Sequence, residues 1–215
     1  MTKSIAVLAA FALAGTAGLS LAATTPAHAS VLMTVQQETG AASCGGASTC
    51  VVASGSGTID LTDLTKSFSG VFNAPSIDPQ ASQIFVGTSA SADIYTFITG
   101  PVLPIGSGVL TNADSGSGAV FGVNDATITV PHNYTSGTLS GSAIWNSPLD
   151  STLAMLGVTP GTYSYTWGAG AHADSFTLDV LNPVPAPAAL PLFATGLGGL
   201  GLLWRRKWKA QAARR

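Results

Sequence analysis

Between residues 31 and 181 the apolar positions come in short clusters separated by Gly, Pro, Ser and Asn. Two clusters alternate cleanly. In residues 162–167, Tyr163, Tyr165 and Trp167 alternate with Thr162, Ser164 and Thr166; in residues 176–180, Phe176, Leu178 and Val180 alternate with Thr177 and Asp179. Successive side chains of a strand point to opposite faces, so one apolar face at period two predicts a sheet packed on one side and solvated on the other. Residues 31–35, 83–86 and 93–98 read as further strands, the last ended by Gly100-Pro101. Residues 119–123 and 127–130 flank Asn124-Asp125 and predict a hairpin. Residues 50–61 read as a strand interrupted by glycine, with a bulge at the interruption. Phe68, Val71 and Phe72 lead into a Pro-rich turn at 73–79. One helix is predicted from Ser147: the serine can cap, Pro148 suits the first helical position, and Gly157 can end it in the left-handed conformation. It would bury Leu149, Leu153 and Leu156. Many short strands with Gly and Pro turns predict an all-β fold, an antiparallel β-sandwich of jelly-roll-like type with one short helix. Nothing repeats at a fixed long period, which argues against a solenoid.

Both ends of the chain leave this pattern. Lys3, the apolar and small run 5–21 and the Ala27-His28-Ala29 site before Ser30 make residues 1–29 a secretory signal helix, cut by signal peptidase. An earlier cut after Ala23 is the alternative. At the other end Pro183, Pro185 and Pro187 hold residues 182–187 extended and short of donors, a form that a processing enzyme can grip. Residues 188–204 carry no charge. As a helix they reach roughly 25 Å, the short end of a bilayer span, and predict a transmembrane helix. Arg205, Arg206 and Lys207 open a basic tail, 205–215, that stops transfer and stays cytoplasmic. Gly196, Gly198, Gly199 and Gly201 each cost that helix on the order of 1 kcal/mol relative to Ala, which favours a cleaved segment over a permanent anchor.

Composition sharpens the picture of the middle. Charged residues make up 8% of the chain, well below the roughly 25% of an average soluble protein. Between 30 and 181 Lys66 is the one cation against ten acids, a formal charge of −9. Such a domain repels nucleic acid and anionic lipid. Cys44 and Cys50 are the only cysteines, and in an oxidising compartment they pair. No further Cys and no nearby His completes a four-ligand metal set, and no cofactor is implied.

The domain's chemistry is sparse. His132 lies in a turn and His172 in a loop, and no G-x-S-x-G elbow accompanies them, so both read as surface residues. Asp60 and Asp63 are near enough in sequence to share a Ca²⁺ ion with backbone carbonyls, yet the EF-hand spacing is missing. Residues 106–108 and 115–118 lack the Lys-Ser/Thr of a phosphate loop and read as flexible turns. Tyr163, Tyr165 and Trp167 are a candidate sugar platform if their face is solvated; the competing reading, which their alternation favours, is that the face packs the core. Trp145 fits either reading.

The run Val184-Pro185-Ala186-Pro187-Ala188, the apolar segment behind it and the Arg-rich end resemble the C-terminal sorting signal of the PEP-CTERM family, in its VPLPA-type branch. Ala186 stands where that branch usually carries Leu. Residues 55–64 and 156–168 are similar to stretches in one group of PEP-CTERM exported proteins that brings no activity with it. The resemblance implies Gram-negative export, transient residence in the inner membrane, recognition by an exosortase-type enzyme, loss of the tail, and delivery to the cell surface or extracellular polysaccharide matrix. The expected function is a surface or matrix component, structural or interacting, without catalysis. A carbohydrate-binding module for exopolysaccharide and a secreted hydrolase are the alternatives.

Overall fold

The computed structural model describes residues 30–72, 74–96, 98–101, 104–147 and 150–183. The chain builds two β-sheets. In the first, six strands lie in the order β12 (Gly161–Trp167), β13 (Asp174–Val180), β1 (Ser30–Thr39), β2 (Thr49–Gly57), β11 (Leu139–Trp145) and β8 (Ser115–Gly118). In the second, seven run β3 (Thr65–Phe72), β6 (Ala90–Thr96), β10 (Thr127–Pro131), β9 (Phe121–Asn124), β5 (Gln83–Val86), β4 (Ser76–Asp78) and β7 (Thr111–Asn112). The expected hairpin is β9–β10, turned at Asp125 in the left-handed region with φ 48°.

One apolar cluster fills the space between the sheets. From the first sheet come Met33, Val35, Ala53, Trp145, Tyr165, Phe176 and Leu178; from the second come Ile84, Phe121, Val123, Ile128 and Val130. Burying each large side chain stabilises the fold by about 1.5–3 kcal/mol. The alternation predicted for β12 and β13 holds: Tyr165, Trp167, Phe176, Leu178 and Val180 face inward, while Ser164 and Thr166 face out.

Four expectations need correcting. The sandwich is not wholly antiparallel: β1 runs parallel to β13, with Val31 opposite Phe176 and Val35 opposite Val180. No helix begins at Ser147. Residues 153–158 form an isolated turn, with Leu156 N–H on Thr152 O at 3.1 Å and Val158 N–H on Leu153 O at 3.0 Å. Asp150, at φ 73°, already breaks a helical path, and Gly157, at φ 67°, closes the turn. The segment left between them is too short to offset the cost of helix nucleation. Leu153 and Leu156 are still buried, whereas Pro148 and Leu149 fall outside the described residues. The one helical turn among the described residues is a 3-10 turn at Gly170–His172. No bulge interrupts β2, whose register with β1 and β11 is continuous; the irregularity lies in β3, between Lys66 and Phe68. Residues 115–118 are an edge strand on β11 rather than a turn.

Candidate functional site

The most distinctive surface is the outer face of the six-stranded sheet. Strand register lines its hydroxyls into rungs. One rung crosses Thr162, Asp179, Thr34, Ser54, Ser142 and Ser117; the next crosses Ser164, Thr177, Leu32, Ser56 and Ser140. Neighbouring strands stand about 4.8 Å apart, and side chains on one face of a strand recur about every 6.8 Å, so the hydroxyls form a grid. Ser117 Oγ and Ser142 Oγ are hydrogen-bonded at 2.9 Å, and Thr162 Oγ1 donates to Asp179 Oδ1 at 3.0 Å. Thr34, Ser54, Ser56 and Ser140 make no side-chain hydrogen bond to the described protein, so their hydroxyls remain available both to donate and to accept.

This face carries a shallow, open groove. It measures about 370 Å³ and runs over β1, β2, β11 and β8. On the inner side of the same strands, β2 and β11 present Gly55 and Gly141 to the core. A Cβ on Gly55 would stand 3.1 Å from the Phe121 ring and 3.2 Å from Met33 Cβ; one on Gly141 would stand 2.5 Å from Ala119 O and 3.2 Å from Phe121. Because neither glycine carries a side chain, the backbone of β2 and β11 lies close against Phe121 beneath the groove. Serine on the outer positions leaves the hollow unfilled. Leu32, 55% exposed, is the apolar element beside it.

The aromatic residues do not form a sugar platform. Tyr165 is fully buried and Trp167 is 5% exposed. Tyr165 packs edge-on against Phe176, ring centroids 5.9 Å apart, and its hydroxyl donates to Ser82 O at 3.1 Å. Trp167 Nε1 donates to Asp60 O at 2.7 Å. Tyr163 packs partly against the same core with its hydroxyl on Thr159 O. Burying large apolar area while pairing the polar tip is the favourable arrangement for such residues, and it covers the rings of Tyr165 and Trp167, so the three do not make an exposed aromatic row. Trp145 is likewise core, its Nε1 on Thr111 O at 3.1 Å.

Both histidines of the described residues sit in structural clasps with aspartates. Asp93, 1% exposed, accepts from Lys66 Nζ at 2.8 Å, Ser69 Oγ at 2.8 Å and the Asn133 N–H at 3.0 Å, and its Oδ1 lies 2.8 Å from His132 Nδ1. Burial pushes its pKa up, but Lys66, His132, the Asn133 amide and Ser69 together hold it well below the ordinary carboxylate value. Ser69 and His132 share one oxygen of Asp93, so the serine, histidine and aspartate are not in the relay order of a hydrolase. In the second clasp His172 Nδ1 lies 2.9 Å from Asp60 Oδ2. Thr62 occupies Asp60 Oδ1 through its amide and hydroxyl, while Asp63 Oδ2 accepts the Ala169 N–H. Thr62's hydroxyl, then His172, bring Asp60 down to about 2, and the bond to Asp60 raises His172. These contacts tie the 60–63 loop to the segment after β12. Among the described residues no three acids, histidines or cysteines converge as a metal site.

Cys44 and Cys50 are joined by a disulfide and buried with Ala47, against Val52 and Ile144. Asp150 steadies that loop by accepting from the Ser48 hydroxyl and from the Ser48 and Thr49 amides. Ser30 opens β1, opposite Ser175. Ala27 and Ala29, the motif Val184, Pro185, Ala186, Pro187 and Ala188, and the stop-transfer residues Arg205, Arg206 and Lys207 lie outside the described residues, as does the predicted span 188–204. No helix among the described residues is long and apolar enough to cross a membrane.

The hydroxyl grid is not apparent from the strand pattern alone, although a signal for it exists. Ser54-Gly55-Ser56, Ser115-Gly116-Ser117 and Ser140-Gly141-Ser142 each repeat serine at period two. Comparison with known protein families, curated proteins and solved structures finds no match to this chain.

Proposed function

We propose that this chain is an exported component of the cell surface or extracellular matrix, with a structural or interaction role and no catalysis. An exosortase-type enzyme reads its tail at Val184–Ala188, and signal peptidase removes residues 1–29. The observation that carries this reading is where the sheet ends relative to the C-terminal motif. β1 begins at Ser30, and the last backbone bond of the sheet is Leu181 N–H to Val35 O at 2.9 Å. The Pro-rich leader follows at once. A cut at 184–188 therefore falls after the last strand and after that bond. Because β1 and β13 are parallel, the start of β1 and the end of β13 point in opposite directions along the sheet.

The Cys44–Cys50 disulfide accords with an oxidising compartment. The repeated passage of the chain between the two sheets supports the jelly-roll-like description, with the parallel β1–β13 pair as an addition to it. The hydrolase alternative loses support from the geometry of the Asp93 and Asp60 clasps, where each histidine is spent on a carboxylate that also holds loop or strand residues. The test is the intact mass of the protein recovered from the cell-surface and matrix fractions. The expected species begins at Ser30 and ends near residues 184–188. Recovery from the cytoplasm of a form that still carries Trp204 and the following arginines would overturn the proposal.

A further inference from the structure

We infer that the grooved outer face of the six-stranded sheet is a binding site for an uncharged, extended polysaccharide chain. This rests on the reading above only in that such a ligand is met outside the cell. The groove offers hydroxyls from Thr34, Ser54, Ser56, Ser140 and Ser142, with Leu32 at its side. A serine hydroxyl gives one donor and two acceptor sites, the same set that a sugar hydroxyl presents, so the two surfaces can exchange bonds in either direction. A polymer lying across the strands meets a new strand about every 4.8 Å, close to the advance of one sugar unit in an extended chain. Leu32, more than half exposed, can cover the C–H face of a ring.

Charge selects the class of polymer. Lys66 is the one cation between 30 and 181 and is engaged by Asp93 on the other sheet. A domain of formal charge −9 repels acidic polysaccharides, and a floor of neutral hydroxyls has no attraction for them. The groove spans β1, β2, β11 and β8, so a chain lying in it meets several strands at once.

Affinity electrophoresis of the purified full chain in non-ionic detergent tests this. Gels would contain hydroxyethylcellulose, laminarin or galactomannan as neutral polymers, and alginate as the acidic one. Retardation by at least one neutral polymer and none by alginate is expected. The variant Ser54→Ala/Ser56→Ala/Ser140→Ala/Ser142→Ala changes only outward positions and should keep the wild-type Tm. Its apparent Kd for the retarding polymer should rise by on the order of tenfold or more. A single Ser54→Glu substitution, which puts charge in the groove floor, should weaken retardation as well. Absence of retardation by all three neutral polymers, or equal retardation of wild type and the alanine variant, overturns the inference. If that happens while the processed chain is still found at the cell surface, the groove assignment fails and the export reading stands. A cytoplasmic, unprocessed chain that still binds the polymer overturns the export reading and upholds the groove.

Discussion

Replacing Asp93 by Asn is the most informative perturbation of this domain. Asp93 lies on β6 beneath Lys66 and His132, which are 40% and 44% exposed, while its own side chain is 1% exposed. The substitution keeps the shape and removes the charge. Lys66 and His132 can then turn to water, as can the exposed Ser69 hydroxyl, and the new amide oxygen can still accept from the Asn133 N–H. No charge is stranded in the interior, so the cost stays below the roughly 3–5 kcal/mol of a broken buried ion pair. It should match the loss of a charge-assisted bond, about 2 kcal/mol at pH 7. The pH dependence gives a second check. Asp93 is held below the ordinary 3.8, so its contribution is present above the unfolded value and is lost as pH falls through the native one. The gap between wild type and Asp93→Asn should therefore be full above about pH 5 and narrow steadily from about pH 4 downward. Urea denaturation followed by tryptophan fluorescence at a series of pH values measures it. A gap that stays constant from neutral to strongly acidic pH, or a variant as stable as wild type, would refute the reasoning.

Three further outcomes follow from the same structure. Tyr165→Phe leaves the Ser82 carbonyl without its phenol donor inside the core and should cost about 1 kcal/mol, lowering Tm by roughly 2–4 °C in calorimetry. Cys44→Ser/Cys50→Ser opens a short loop and should cost roughly 2 kcal/mol by chain entropy, with wild type in reductant shifting to the same urea midpoint. The His172–Asp60 clasp should be strongest in mildly acidic solution. The histidine's share is present below its unfolded value of 6.5 and lost as pH rises through its raised native value; the aspartate's share is present above 3.8 and lost as pH falls through about 2. In an NMR titration His172 should therefore titrate above 6.5 in wild type and return toward it in Asp60→Asn; an unchanged midpoint would contradict the clasp.

Signals carried by near neighbours in the chain are legible before any fold is known. Period-two alternation places Tyr165, Trp167, Phe176 and Leu178 on inward faces, because strand geometry alone decides which residues share a face. The β9–β10 hairpin and the left-handed Gly157 are equally local. The proposed export and sorting reading draws on local signals too, since Ala27-His28-Ala29, the Pro-rich stretch 182–187, the apolar run 188–204 and Arg205-Arg206-Lys207 are ordered along the chain itself. Strand identity at β8 and β11 is hidden, because Ser and Gly carry little strand propensity and pairing with β2 and packing decide it. The helix expected at Ser147 fails for a related reason: Asp150 is drawn to Ser48 and Thr49, about a hundred residues earlier, and its backbone turns left-handed in the process. The grid of hydroxyls and the partners of Asp93 are tertiary in the same sense. Each depends on the register between strands that meet only after long loops close, and a linear pattern states which face a serine takes but not which serine stands beside it.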